Sequence, residues 1–147
     1  MPRPKVSMDT LWQSSPVSDC VFQPDLMVGL PEPAKRYLEH AITPGTQLAS
    51  AVRLRMHGEI KLKQWYPFQA EQVICWQRGM IWQATAWMKG LPIRGWDRLV
   101  EGKGAIQRKL LGLIPVVTAS GPDITRSTIG RILGEYIWLP SALCSVT

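Results

Sequence analysis

Few side chains in this sequence have the types and spacing that chemistry demands. His40 and His57 stand apart, with no HxH or HExxH, so convergent metal ligands are not expected. Cys20, Cys75 and Cys144 are odd in number, widely spaced and free of CxxC, which argues against a disulfide framework or a zinc site. Cys75, between Ile74 and Trp76, reads as a small structural apolar residue; a nucleophilic thiol needs an environment that favours the thiolate. Ser127 has no GxSxG elbow around it. Gly102-Lys103-Gly104 resembles a fragment of a phosphate loop without GxxxxGK[ST], and reads as a hairpin turn. Asp97 and Glu135 are the two carboxylates expected near apolar surroundings. They suit an acid/base pair if a sheet curls over a helix, or salt bridges to Arg94 or Arg131.

Tryptophan is the unusual residue. There are 7, of which Trp65, Trp76, Trp82, Trp87 and Trp96 fall in one central stretch and Trp138 closes a helical one. Rings at this density fill a core, or they line a hollow that takes an apolar or amphiphilic small molecule. On the second reading the lining residues are Met56, Trp76, Trp82, Trp96 and Trp138. Base stacking is the third use of such rings among basic residues, but no nucleic-acid motif accompanies them, and no nucleic-acid partner is expected.

The elements that must position these residues are legible in the periodicity. Leu30-Pro31-Glu32-Pro33 opens a helix, and Ala34, Tyr37, Leu38, Ala41 and Ile42 form one stripe that is expected to lie on a sheet. From 52 to 63, Val52, Leu54, Met56, Ile60 and Leu62 hold one parity. Arg53, Arg55, His57, Glu59, Lys61 and Lys63 hold the other. A period of two with one charged side predicts an antiparallel strand with one wet face, and Gly58 a bulge. Phe68, Ala70, Ile74 and Trp76 repeat next, interrupted by Gln72. Met80, Trp82, Ala84, Ala86 and Met88 follow, then a less regular strand over 93–100. Residues 105–118 read as one bent strand, with Arg108 interrupting Ile106 and Leu110. Asp123, or Thr125, is expected to cap a second helix whose stripe is Ile129, Ile132, Leu133, Tyr136 and Ile137. Gly130 and Gly134 on it would admit another backbone.

At 147 residues with 46% hydrophobic and 19% charged composition, the chain is sized for one packed domain and is too apolar for a disordered one. Its +6 charge is concentrated: residues 51–109 carry eleven basic and four acidic groups, the flanks almost balance. Such a face suits phosphates, an anionic surface or plain solvation. Residues 1–29 hold Pro2, Pro4, Pro16 and Pro24 and no period, and read as an extended or poorly ordered arm pinned by Trp12 and Phe22. No apolar run suits a targeting signal or a membrane span, so a cytoplasmic location is expected.

Several stretches resemble an uncharacterised bacterial family of the domain-of-unknown-function type: LPEPAKRYL from Leu30, WYPFQA from Trp65, LLGLIPVV from Leu110, GPDITRSTIGR from Gly121 and LPSAL from Leu139. The resemblance covers about residues 26–143. It implies no activity, catalytic residue or cofactor. It does imply that members continue past LPSAL, so the chain resembles an N-terminal portion of the family's domain. The order of helix, meander and helix is also similar to the half-barrel of lipoprotein-carrier proteins.

The expected architecture is therefore α+β: a single domain over 30–147, with a curved, half-barrel-like antiparallel meander flanked by two amphipathic helices, the second on the concave face. Three functions fit it. The first is non-enzymatic binding of a lipid-like or aromatic molecule in the tryptophan-lined hollow, without a cofactor. The second is an enzyme of unknown class using Asp97 or Glu135. The third is an interaction module, including a homo-oligomer, that pairs through an open sheet edge.

Overall fold

The computed structural model describes residues 6–144; residues 1–5 of the expected arm and 145–147 lie outside the described residues. Six strands form one antiparallel sheet in sequential order: β1 Ala51–Lys61, β2 Trp65–Cys75, β3 Gly79–Met88, β4 Leu91–Val100, β5 Lys103–Leu110 and β6 Ile114–Ser120. The meander is open, with β1 and β6 at its edges. The helices are α1 Met8–Gln13, α2 Glu32–Ala41 and α3 Pro122–Glu135, with single 3-10 turns at Pro24–Met27, Tyr136–Trp138 and Pro140–Leu143. The fold class is thus α+β, as the periodicity implies.

Tight turns explain why the strands are sequential neighbours. Lys89-Gly90 and Glu101-Gly102 both place two successive residues at positive φ, the two-residue hairpin geometry that follows a strand's right-handed twist. Lys103 and Gly104 therefore belong to β5 and not to the turn. Leu111-Gly112, also at positive φ, splits the expected single bent strand into β5 and β6. A bulge occurs at Arg108/Lys109, whereas Gly58 pairs in regular register with Phe68.

The two faces of the sheet are covered differently. On one face α1 packs Met8 and Leu11 on Val73, Cys75, Ile81 and Val100. Ser7 caps α1 by accepting from the Thr10 N–H at 3.0 Å. On the opposite face α3 crosses the strands, and Ile132 and Leu139 join Ile74, Met80 and Leu99. A third cluster lies apart from the sheet: Phe22, Met27, Leu38, Ile42, Leu48 and Cys144. Leu38 and Ile42 of the α2 stripe are buried there, with Tyr37 packed against them, and not on the strands. The region read as an extended arm holds α1 and the Pro24–Met27 turn. Phe22 pins it, fully buried, while Trp12 stays 39% exposed.

Two stripes differ from expectation. In β1, Val52, Leu54 and Met56 are half-buried, but Ile60 and Leu62 are 39% and 57% exposed. β1 is an edge strand; Val52 near its start packs against the cluster that includes Ile132 and Leu139, while α3 itself lies over β4, β5 and β6. Of the expected second-helix stripe, Ile132 in α3 is buried while Ile129 and Leu133 are 41% and 59% exposed; Tyr136 and Ile137 fall in the 3-10 turn beyond α3, half-buried and 54% exposed. The helix turns Ile124, Thr128, Arg131, Ile132 and Glu135 to the sheet instead. Its N-cap is Gly121 with Pro122 in the first turn; Asp123 pairs with Arg126 at 2.6 Å. Gly130 and Gly134 face open space. The close approach is made by Gly104, where an added Cβ would fall 2.6 Å from the Thr125 Cα.

Candidate functional site

The strand register assigns each polar side chain to a face. One row across the sheet reads Leu54, Gln72, Trp82, Asp97, Ile106 and Ala119, all on the face that α3 covers. Here Asp97 lies between two arginines: its Oδ2 accepts from Arg131 Nη1 at 2.5 Å, and its Oδ1 is ion-paired with Arg108 Nη2 at 2.6 Å. The second contact lacks hydrogen-bond geometry, which leaves Oδ1 with electrostatic company alone. Arg131 Nε donates to Glu135 Oε1 at 2.8 Å, and Gln72 Nε2 donates to Glu135 Oε2 at 2.5 Å. Arg131 and Arg108 lie over the Trp82 ring, 5.0 and 5.7 Å from its centroid. Gly95 makes room for Arg108: a Cβ there would meet the Arg108 Cδ at 2.3 Å. Arg108 Nη1 also donates to the carbonyls of Trp96 and Gln107, both at 2.9 Å.

This cluster ties α3 to β2, β4 and β5. Asp97 and Glu135 do come together through Arg131, as salt-bridge partners and with no cleft between them. Arg94, the other expected partner of Asp97, is on the opposite face.

That opposite face carries the hollow. Beyond the patch covered by α1, two polar rows run across the strands. One is Arg55, Glu71, Gln83, Trp96 and Gln107; the other is His57, Gln69, Thr85, Arg94 and Lys109. They line an open hollow of about 710 Å³, within the range of small-molecule sites. Its floor is amide-rich, its rim cationic, and Trp96 is the aromatic surface within it. Arg55 Nε donates to Glu71 Oε1 at 2.9 Å. Arg98 lies 5.9 Å from the Trp96 ring centroid.

The five residues expected to line a tryptophan pocket separate. Trp96 projects into the hollow; Met56 borders it, but shares the parity of Leu54 and so belongs to the α3 face. Trp76 packs against the core under α3, Trp82 lies beneath two arginines, and Trp138 is 55% exposed. Trp82 and Trp96 have opposite parity in adjacent strands and point to opposite faces. Gln69, Gln83, Arg94, Gln107 and Lys109 were missed. The signal for them was the wet parity of each strand, which reads as solvation when taken strand by strand.

The cysteines fit structural roles. Burial raises the Cys75 thiol pKa, with Arg78 opposing weakly, and burial raises that of Cys144. Both are therefore held as poorly nucleophilic thiols. Tyr136 is raised by burial and by Cys75. Among the described residues no group of three or more His, Cys, Asp or Glu is placed to hold a metal. Nor is any described helix long and apolar enough to cross a membrane.

A family model matches residues 20–146, most of the chain and all of the sheet. The chain belongs to DUF6544, a family of unknown function. The match begins at Cys20, so it includes Phe22 and Met27 with the body they pack against, and leaves α1 outside. No curated protein and no solved structure matches this member of DUF6544.

Proposed function

We propose that this chain binds a small amphiphilic molecule in the hollow of the open face. One observation carries the reading: a space of about 710 Å³ in which Trp96 stands among the amides of Gln69, Gln83 and Gln107. An aromatic surface takes the planar or apolar part of a ligand, and amides that both donate and accept orient its polar part. The mixed lining favours an amphiphile over a wholly apolar guest, because an alkyl chain alone would leave the floor's polar groups desolvated without partners.

The test is titration with medium-chain amphiphiles, read by tryptophan emission and by native mass spectrometry. The expected result is a saturable emission change that Trp96→Phe abolishes, with bound mass retained. A change that survives Trp96→Phe and vanishes in Trp138→Phe would move the site to the α3 end and end this reading.

A second reading rests on the β6 edge. Ile114, Val116 and Val117 are exposed, and the strand Ile114–Ser120 carries no charge. An uncharged edge has unpaired backbone donors and acceptors for another strand. Dimerisation through β6 is tested by sedimentation of the chain and of Val116→Lys. A monomer at every concentration sinks it.

A further inference from the structure

We infer that the hollow seats a compact anion, carboxylate or phosphate, between Arg94 and Lys109; the inference rests on the binding reading above and narrows its ligand to an anionic amphiphile. Arg94 and Lys109 are directly opposite one another in the β4–β5 register. Two like charges in that relation destabilise a strand pair. Both line the hollow, and among the described residues neither has an ion-pair or hydrogen-bond partner.

The other strand arginines are all accommodated. Arg53 meets Asp9 and Glu71, Arg55 meets Glu71, and Arg108 meets Asp97. Arg98 lies against the Trp96 ring. Among the strand arginines, Arg94 is the one with no such contact, and it faces a second cation, Lys109. Opposed side chains have Cβ atoms about 5 Å apart, so their cationic ends can straddle one small anion. Gly112 borders the hollow beside Arg94: a Cβ added to it would make only ordinary contact, 3.6 Å from the Arg94 Cδ. The tail of an amphiphile seated this way would run towards Trp96.

The experiment compares octanoate, octyl phosphate, octanol and inorganic phosphate by calorimetry. The proteins are wild type, the double variant Arg94→Gln/Lys109→Gln, and Arg126→Gln as a charge control on α3. The expected result is that octanoate and octyl phosphate bind at least about tenfold tighter than octanol, in line with charge-assisted hydrogen bonds. Raised ionic strength should narrow that gap. The double variant should lose the advantage and keep octanol binding, and Arg126→Gln should keep both. Octanol matching octanoate, or a double variant that binds octanoate like wild type, overturns the anion seat and leaves the hollow standing. Inorganic phosphate binding as tightly as octyl phosphate supports the seat and overturns the amphiphile. Silence from all four probes overturns both.

Discussion

Under α3, Arg108 and Arg131 share Asp97, Arg131 also holds Glu135, and both guanidiniums rest on Trp82. On the open face, Arg94 and Lys109 stand opposite each other with no carboxylate between them. The same sheet thus carries charge in two states. In the first it is compensated, largely shielded and structural. In the second it is uncompensated, accessible and available to a ligand. What separates them is the helix: a charge beneath it must bring its partner, because desolvation without one is costly. A charge on the open face can rely on water.

The sharpest way to break this contrast is Asp97→Ala. It leaves two arginines facing each other beneath α3, and the expected loss is about 3–5 kcal/mol of unfolding free energy, as for other broken buried pairs. Urea denaturation reads it. A loss within about 0.5 kcal/mol, the usual range at indifferent surface sites, would show that water compensates both faces alike. Next in size is Ile132→Ala, which removes a residue 4% exposed from the core under α3. About 2–5 kcal/mol is expected, against under about 0.5 kcal/mol for Leu133→Ala beside it. Equal effects would mean that α3 is rotated from the orientation described.

Alkaline pH gives a smaller effect. Burial raises the pKa values of Cys75 and Cys144, and that of Tyr136 is raised too. The folded chain therefore holds these groups neutral where the unfolded chain ionises them. Their contribution is intact at neutral pH and is lost as pH climbs past the ordinary thiol range. The denaturation midpoint should fall between pH 7 and pH 10, and less so in Cys75→Ala. An equal fall in both proteins would clear Cys75 of any part in it. The smallest effect belongs to Arg94→Gln: a change within about 0.5 kcal/mol, neutral or stabilising, because it removes a cross-strand repulsion. A clear destabilisation would show that Arg94 has a structural partner after all.

Much of the sheet is legible in the sequence because a strand's period of two is a local property. Val52, Leu54 and Met56 against Arg53, Arg55 and His57 announce β1 without knowledge of any neighbour. The orientation of α3 is not local. Its helical spacing offers two stripes, and the more apolar one, Ile129–Leu133–Ile137, is the wrong choice. The buried stripe includes Arg131 and Glu135, whose partners Asp97 and Gln72 are on two different strands, with Arg108 from a third strand sharing Asp97. The sequence did mark them: Gln72 and Arg108 each interrupt an otherwise apolar parity, and those interruptions converge beneath one helix. The placement of α2 is non-local in the same way. Its stripe is real, but Phe22, Met27 and Leu48 cover it, and nothing in the helix itself says so.

Gly104 bears on how α3 can move. The Gly104 N–H donates to Thr125 Oγ1 at 2.9 Å, and the strand and helix backbones nearly touch there. That contact is a fulcrum. From Thr125 to Glu135 the helix is a lever about 15 Å long, at 1.5 Å per residue. A tilt of about 10° at the fulcrum would carry the far end about 2.6 Å by that length. That displacement separates Glu135 from Gln72 while barely shifting Thr125. The same tilt would also have to draw Ile132 and Leu139 out of the cluster with Ile74, Met80 and Leu99, so the ion pairs and the buried residues at the far end of the lever resist it together.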